Sequence, residues 1–327
     1  MNHPMSSEAR ARVVFLDRST LPAGTELREF AFPHELVVYG NTPASAVAER
    51  IADAEVVITN KVPIGRTALE AAKKLRVIGV AATGFDNIDV DACNEKGVTV
   101  SNIRNYATST VPEHTFALIL ALRRSLLDYR DSVRAGRWQD SGQFCYFDHP
   151  IKDLSGAVLG IVGDGALGQA VGALGRAFGM EVRFSAYKGT RGMGPLYTPF
   201  EEIMRSSDII TLHSPLTPST RNMIGAAEFG LMERRPLLIN TARGGLVDET
   251  ALVDALRSGR ISGAGFDVVT VEPPRDDHPF AQARDLPNFI LTPHVAWASE
   301  QATQTLADQL IENINLAWAG TPRHVVS

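Results

Sequence analysis

Residues 157–168 read AVLGIVGDGALG, an apolar run that ends in three glycines at fixed spacing. A stretch rich in Ala and Leu, of helical character, follows from Ala166 to Phe178. The first glycine permits a tight strand-to-helix turn, the second lets a pyrophosphate approach the backbone, and the third lets the helix lie close to the strand. The N-terminus of such a helix offers N–H groups and a favourable dipole to an anion. The pattern therefore predicts a dinucleotide site at Gly163, Gly165 and Gly168.

Length and composition bound the class of protein. At 327 residues the chain exceeds the usual size of one hydrophobic core, so two domains are expected. A net charge of −5 without a dense basic run argues against a nucleic-acid partner. No apolar stretch is long enough for a membrane span, and the N-terminus lacks the order of a signal peptide, so we expect a cytoplasmic protein without a membrane partner. Neither Cys93 nor Cys145 lies in a CxxC pair or near a histidine at the spacing of metal ligands, so we expect no metal site and no disulfide.

Short apolar runs alternate with helical stretches along the whole chain, a pattern typical of parallel α/β architecture. Five runs before Asn102 predict a first, smaller sheet, with strands at 13–16, 35–39, 56–59, 77–80 and 99–100. Six runs predict a second, complete dinucleotide-binding sheet, with strands at 158–162, 182–185, 209–212, 237–240, 263–266 and 290–291. Between the two sheets we expect one long helix from Thr108 to about Arg134, followed by an ordered loop over 136–150.

The last predicted helix, Ser299 to Trp318, has no strand after it, and we expect it to return to the first domain. The predicted domains are thus a substrate domain formed by 1–104 and 298–327, and a dinucleotide-binding domain formed by 105–297. The fold class is α/β: a Rossmann-type doubly wound parallel sheet for the cofactor, with a smaller flavodoxin-like parallel sheet.

Polar groups stand directly after several strands of the second sheet, where ligands of open parallel sheets bind. These are His213, the run Thr241-Ala242-Arg243, Asp267 and His294. An arginine at a strand end can hold a carboxylate through a two-pronged, charge-assisted bond. The simpler alternative is a surface arginine that pairs with one of the nearby carboxylates, Asp248 or Glu249.

Neither His294 nor Glu272 alone indicates a catalytic site, but the two residues together are stronger evidence for one. A single histidine after a strand is more often structural, and Glu272 would ordinarily be a solvated turn residue. A carboxylate beside an imidazole, however, orients the ring and favours its protonated form. With Arg243 to anchor an anion and a nicotinamide nearby, these groups could move a hydride and a proton across a carbonyl/alcohol pair.

Taken together, these motifs resemble the D-isomer-specific 2-hydroxyacid dehydrogenases over nearly the whole chain. The similar segments are Ala81–Asp89, Val158–Gly168, His213–Leu216, Ile239–Asp248, Glu272–Pro274 and Pro293–Ser299. Within the family, glycerate dehydrogenases (hydroxypyruvate reductases) are most similar at Asn102–Tyr106, at Phe144-Cys145, at Asp148–Ile151 and in the Ala-Trp-Ala-Ser ending. The resemblance implies reduction of a small 2-keto acid, hydroxypyruvate or glyoxylate, by an NAD(P)-dependent homodimer.

The resemblance also implies roles for individual residues. Backbone amides of Thr83 and Gly84 would hold the substrate carboxylate, and Arg243 would bind the carboxylate and the carbonyl oxygen. His294 would be the acid/base, with Glu272 as its partner. The implied cofactor contacts are Gly163, Gly165, Ala166, Leu167, Gly168, Ala186, Tyr187, Lys188, His213, Ser214, Pro215, Thr220, Thr241, Ala242, Arg243, Asp267 and His294.

One departure from the family bears on the cofactor. The second strand of the dinucleotide domain should end in an acidic residue that binds the adenine ribose, but here Ala186-Tyr187-Lys188 follows the strand. Without that carboxylate a 2′-phosphate is no longer repelled, and Lys188 and Arg191 could bind it, which favours NADP(H) over NAD(H). The alternative is that both cations point to solvent while backbone contacts and Tyr187 hold NAD.

Two other functions stay open at this point. The same architecture could act on a different small anion, such as formate or phosphite. It could also serve as a dinucleotide-sensing co-regulator without turnover, although the acidic charge balance and the lack of interaction tails argue against that.

Overall fold

The computed structural model describes residues 10–190 and 192–326. The chain forms two compact units, one made of Met1–Tyr106 with Ala298–Ser327 and the other of Ala107–Trp297. Within the described residues, no helix combines the length and the apolar character that a membrane span needs.

The first unit is a parallel five-stranded sheet in the order β2-β1-β3-β4-β5, the flavodoxin-like arrangement. Strands β3 and β4 are buried along their whole length, as expected when helices cover both faces of a sheet. Its elements are β1 Ala11–Phe15, β2 His34–Val38, β3 Val56–Thr59, β4 Val77–Val80, β5 Thr99–Ser101, α1 Val47–Ile51, α2 Arg66–Ala71, α3 Val90–Glu95 and α11 Glu300–Trp318.

The C-terminal helix α11 belongs to the first unit, to which the sequence predicts its return, and it packs there on β4. A Cβ atom built on Gly79 would lie 2.7 Å from Ile314 Cδ1 and 3.0 Å from Leu310 Cδ1. The glycine in β4 therefore lets the helix approach the strand closely. Ser299 caps the helix, its Oγ accepting from the N–H of Ala302 at 3.2 Å.

The second unit is a parallel seven-stranded sheet in the order β12-β11-β10-β9-β6-β7-β8. The strand order reverses between β6 and β9, which is the switch point where doubly wound sheets bind ligands. The strands are β6 Val158–Val162, β7 Glu181–Ser185, β8 Tyr197–Thr198, β9 Ile209–Leu212, β10 Leu237–Asn240, β11 Gly263–Phe266 and β12 Phe289–Leu291; the helices are α4 Thr110–Arg123, α5 Leu126–Arg134, α6 Arg137–Ser141, α7 Ala166–Ala177, α8 Phe200–Ser206, α9 Ala226–Leu231 and α10 Glu249–Arg257. The predicted fold class is confirmed.

Three details of the prediction are wrong. The long helix expected over 108–134 is two helices, α4 and α5, separated at Ser125, whose backbone is left-handed with φ 49°. The Ser125 hydroxyl donates to the carbonyl of Pro150 at 2.7 Å, a side-chain bond that competes with helix continuation. The segment 136–150 contains the short helix α6. A seventh strand, β8, adds two residues to the edge of the second sheet beside β7.

Candidate active site

The glycine-rich turn connects β6 to α7 and needs two of its glycines for steric reasons. Gly163 has φ 110°, and a Cβ there would come within 2.5 Å of the backbone carbonyl oxygen of His213. A Cβ on Gly168 would collide with the carbonyl oxygen of Gly163. These contacts fold the turn tightly between the ends of β6 and β9.

Gly165 is different, because a Cβ there would meet no atom of the described residues within 4 Å. It is the N-cap of α7, and no side chain in the described part of the chain caps this helix. The backbone N–H groups of Ala166 and Leu167 in the first helical turn thus lie beside open space at a positive helix end. This space and these donors fit the pyrophosphate of a dinucleotide.

The end of β7 carries no acidic group. Ala186 is 6% exposed, and Tyr187 after it is 58% exposed. Lys188 does not simply point to solvent: its Nζ lies 2.7 Å from Glu228 Oε1 and donates to the carbonyl of Met223 at 2.8 Å. Arg191, the second cation considered for a phosphate, lies outside the described residues.

Glu228 is held by more than this ion pair. Its Oε2 accepts from the backbone N–H of Gly225 at 2.9 Å, at the start of α9. Burial alone would raise the pKa of Glu228, but Lys188 and the Gly225 N–H outweigh burial and lower that pKa below its ordinary value. Lys188 is therefore already neutralised by the fold.

A carboxylate does occur in the glycine-rich turn itself, on Asp164, which accepts a hydrogen bond from the Tyr197 hydroxyl of β8. This bond, together with burial and the negative charge, raises the pKa of Tyr197 above its ordinary value. Nothing in the motif signals the pairing, because the middle position between the first two glycines tolerates many residue types.

His213 follows β9 and is enclosed at one ring nitrogen. Its Nε2 contacts Thr211 Oγ1 at 2.9 Å, whereas Nδ1 is buried without a partner among the described residues. Although the residue as a whole keeps some exposure, burial of the ring lowers the pKa of His213 to about 4, so the imidazole is neutral at neutral pH.

The turn after His213 is closed by its own side chains. The Ser214 hydroxyl donates to the carbonyl of Val162 at 3.2 Å, and the Thr220 hydroxyl donates to the carbonyl of Pro215 at 2.7 Å. Both bonds rigidify the edge that faces the glycine-rich turn.

Arg243 lies three residues beyond β10, and its guanidinium donates to the carbonyl of Ala242 at 2.7 Å. The alternative in which it pairs with a nearby carboxylate is wrong. Asp248 caps α10 through the N–H groups of Thr250 and Ala251, and Glu249 is engaged elsewhere. No ion pair of Arg243 occurs among residues 10–190 and 192–326, so its charge is available to an anionic ligand.

The residues before Arg243 are fixed by buried polar contacts. Thr241 is 8% exposed, and its hydroxyl lies 3.0 Å from that of Thr115 in α4. The N–H of Ala242 donates to Asn240 Oδ1 at 3.1 Å, and Asn240 Nδ2 donates to the carbonyl of Arg243 at 2.9 Å. These bonds fix the backbone that carries the Arg243 side chain.

His294 and Glu272 are in contact, with Nδ1 and Oε2 2.7 Å apart. Because a carboxylate only accepts, Nδ1 carries the hydrogen of this bond, and Nε2 is left to exchange a proton with a bound molecule. The side chains are 27% and 37% exposed, so the pair can be reached by a substrate. Glu272 Oε1 accepts from the N–H of Val269 at 3.2 Å.

The backbone of His294 is unusual and strongly held. It is left-handed, with φ 56°, a conformation that costs free energy for a residue with a side chain. The buried carboxylate of Asp267 accepts from the N–H groups of Val295 at 2.9 Å and Ala296 at 2.8 Å. Trp297 Nε1 donates to the carbonyl of His294 at 2.9 Å.

The resemblance implies that Asp267 contacts the cofactor, but the sequence does not show that it anchors the His294 turn. The signal in the sequence is an acidic residue directly after the run that forms β11, and in the structure Asp267 is 1% exposed. A buried carboxylate must find hydrogen-bond donors, and backbone N–H groups of the next loop are the nearest source.

Thr83 and Gly84 belong to the first unit, in the loop after β4. Asn102 Nδ2 donates to the carbonyl of Thr83 at 2.7 Å, and the N–H of Ile103 donates to the carbonyl of Ala82 at 3.0 Å. The segment after β5 therefore fixes the backbone of this loop at the carboxyl edge of the first sheet.

Known proteins match both the sequence and the structure. The family description "D-isomer specific 2-hydroxyacid dehydrogenase, NAD binding domain" fits residues 116–296. A glycerate dehydrogenase of Methylorubrum extorquens is 51% identical over 316 residues, covering 96% of this chain and 98% of the relative. An acyclic imino acid reductase solved with NADPH and D-Arg has a TM-score of 0.81 at 28% identity, covering 97% of this chain and all of its own. The D-lactate dehydrogenase of Aquifex aeolicus, solved with NAD and lactic acid, has a TM-score of 0.78 at 28% identity, covering 94% and 96%.

These matches confirm the resemblance drawn from the motifs and the assignment of a nicotinamide dinucleotide to this architecture. Since the family description covers more than half of the chain and the identity to a full-length relative is high, this chain belongs to the D-isomer specific 2-hydroxyacid dehydrogenases, oxidoreductases that act on CH–OH groups.

Proposed function

We propose that this chain reduces a short 2-keto acid, hydroxypyruvate or glyoxylate, to the 2-hydroxy acid with a reduced nicotinamide dinucleotide. The observation that carries the proposal is the 2.7 Å contact between His294 and Glu272 in the same unit as Arg243, an arginine without a carboxylate partner in the described chain. Similarity to a relative named glycerate dehydrogenase supports hydroxypyruvate, the keto acid that oxidation of glycerate at carbon 2 gives.

The residues divide the reaction between them. Arg243 binds the substrate carboxylate through two N–H groups and polarises the neighbouring carbonyl. His294 donates the proton on Nε2 to the carbonyl oxygen as it becomes an alcohol, and accepts it in the reverse direction. Glu272 orients the ring through Nδ1 and stabilises the imidazolium. The bound nicotinamide supplies the hydride.

The other site residues bind rather than react. The backbone amides of Thr83 and Gly84 are assigned to the substrate carboxylate. The turn 163–168, the positions 186–188, His213 to Pro215, Thr220, Thr241 and Ala242 are assigned to the cofactor. Asp267 supports the His294 turn through its contacts to Val295 and Ala296, in addition to its assignment beside the cofactor.

Steady-state assays with both cofactors test the proposed reaction. We expect turnover of hydroxypyruvate and glyoxylate to exceed that of pyruvate, with a D-configured product from hydroxypyruvate on chiral chromatography. Faster oxidation of formate or phosphite would identify a different anion as substrate. Tight dinucleotide binding in calorimetry, with no turnover of any keto acid, would support a sensing role instead.

For the cofactor, we propose that NADPH is used at least as well as NADH. Ala186 supplies no carboxylate to bind a ribose diol or to repel a 2′-phosphate. Lys188 is near enough in sequence to meet that phosphate, although it must share its charge with Glu228 to do so. Because an exposed charge contact contributes about 1 kcal/mol or less, the preference should be modest.

We also propose a homodimer formed through the second unit. Large apolar side chains are exposed on and around α5 and α6, above all Phe144 and Phe147, which are 89% and 83% exposed. Trp138 in α6 and Leu126 in α5 are also exposed, at 48% and 54%. Apolar clusters of this kind mark interaction surfaces, and a second copy of the same chain would cover them. Sedimentation velocity should show a dimer, and F144D/F147D should shift it to the monomer.

The cytoplasm is the proposed compartment. Cys93 and Cys145 are both free thiols, which fits a reducing environment. Cell fractionation with an antibody against the chain would place it directly.

A further inference from the structure

Glu272 lies in a segment that is exposed along its whole length. Residues 270–277, which we call the Glu272 loop, are all exposed, whereas Val269 before them and His278 after them are buried. An exposed loop of this length has few contacts to restrict it and should be mobile unless its ends are fixed. Contacts at the two ends of the loop therefore help to fix the position of Glu272.

One largely buried carboxylate, that of Glu249, contacts both ends of the Glu272 loop. Glu249 is the first residue of α10, and its Oε1 accepts from the N–H of Thr270 at 2.7 Å. Its Oε2 lies 2.9 Å from Nε2 of His278. The side chains of Glu249 and His278 are 10% and 8% exposed, so water competes little for either contact.

The ring of His278 is itself fixed from the other side. Its Nδ1 accepts from the N–H of Phe280 at 3.2 Å, which leaves the ring hydrogen on Nε2, the nitrogen that lies 2.9 Å from Glu249 Oε2. The Nε2–Oε2 contact does not have the geometry of a hydrogen bond and is electrostatic. The Phe280 ring packs edge-on against the His278 ring, with 5.1 Å between the ring centroids.

We propose that Glu249 and His278 are positioning residues that close the Glu272 loop and so keep Glu272 Oε2 in contact with His294 Nδ1. The inference rests on the proposed roles of Glu272 and His294. Neither Glu249 nor His278 needs to touch substrate or cofactor for this function. Each acts through the backbone that carries Glu272.

The simpler alternative is that the pair only stabilises the fold, as an acidic residue in the first turn of a helix commonly does. Both roles predict a lower melting temperature on mutation. Only the positioning role predicts that the pH dependence of catalysis changes, because only then does His294 lose the carboxylate that stabilises its protonated form.

The experiment compares E249A, E272Q and the double variant with the parent enzyme. We expect E272Q to move the basic limb of the kcat/KM profile to lower pH, and E249A to move it in the same direction by a smaller amount. In the double variant the E249A change should add nothing to the profile, because the two residues act through one contact. Hydrogen exchange of the amides in the Glu272 loop should become about tenfold faster in E249A.

A matched control is D208N. Asp208 is a largely buried carboxylate of the same unit that pairs with Arg234 and accepts from the N–H of Val158, at the amino ends of the strands. D208N should lower the melting temperature without moving the pH profile. If E249A does not fold, H278Q replaces it, since it removes the ring but keeps Glu249.

The outcomes separate the inference from the function on which it rests. If E272Q moves the profile and E249A or H278Q leaves it in place, the positioning role is wrong and the proposed function stands. If E272Q itself has no effect on the profile, the proposed role of Glu272 fails and the positioning role falls with it. Additive shifts in the double variant would also overturn the inference.

Discussion

Arg243 and Lys188 both lie just beyond strands of the second sheet, but among residues 10–190 and 192–326 only Lys188 of these two has a carboxylate partner. The guanidinium of Arg243 donates to the adjacent carbonyl of Ala242, and its acidic neighbours in sequence are occupied elsewhere. Lys188 is neutralised by Glu228, which comes from helix α9. The difference teaches that a cation at a strand end indicates an anion site only when the fold leaves its charge uncompensated.

The largest effect is expected at His294, which lies in the same unit as the uncompensated Arg243. H294A should lower turnover by about 10²-fold or more, the usual scale for loss of a general acid. Binding of the dinucleotide in calorimetry should change little, since the ring contacts Glu272 at Nδ1 and leaves Nε2 for the substrate. Turnover close to that of the parent enzyme would remove His294 from the proposed mechanism.

Replacing the planar guanidinium of Arg243 should change the kinetic constants and leave the stability of the fold unchanged. R243K keeps the charge but not the two-pronged geometry, so kcat/KM for keto acids should fall by roughly 10- to 100-fold, with a higher KM and a slower turnover. The melting temperature should hardly change, because no ion pair of Arg243 is found in the described part of the chain.

The matched control is R234K. Arg234 makes a forked contact with Asp208 at the opposite edge of the same sheet, with bonds of 2.8 to 3.0 Å. The R234K variant should have a lower melting temperature and unchanged kcat and KM. If R243K behaves like R234K, Arg243 is a structural residue and the contrast with Lys188 disappears.

A smaller effect should follow from releasing Lys188. E228Q removes the competing charge while its amide oxygen can still accept from the N–H of Gly225. The efficiency with NADPH should then rise about fivefold relative to NADH, the equivalent of about 1 kcal/mol. A186D should act in the opposite direction, since a carboxylate there repels the phosphate.

The control for Lys188 is the double variant E228Q/K188Q, in which the gain with NADPH should vanish. A parent enzyme that strongly prefers NADH, with a preference that neither E228Q nor A186D alters, would contradict the cofactor proposal.

The same contrast separates the features that the sequence predicts from those that it does not. Strands such as Val158–Val162 and Leu237–Asn240 are found at the predicted residues, because fully buried parallel strands read as continuous apolar runs between turn residues. The positions of Arg243 and His294 beyond such strands follow from the same runs.

What the sequence does not contain is the pairing of distant groups. Lys188 and Glu228 meet from different elements, and Glu249 reaches two ends of one loop. The break between α4 and α5 has no glycine or proline to mark it, since Ser125 adopts φ 49° without either. Contacts of this kind depend on tertiary packing, which local sequence patterns do not predict.

The last expected effect is on stability and not on activity, and it concerns His213, a second imidazole at the sheet edge that carries His294. Burial lowers the pKa of His213 to about 4, below its ordinary value of 6.5. The unfolded chain therefore takes up a proton between these values while the folded chain does not, so this residue lowers stability as the pH falls from 6.5 toward 4. At pH 5 the difference is on the order of 2 kcal/mol. H213N should consequently show a smaller drop in melting temperature between pH 7 and pH 5 than the parent. An equal drop in both would mean that the ring is hydrated, and the contrast between a neutral, enclosed imidazole and the accessible imidazole of His294 would then be lost.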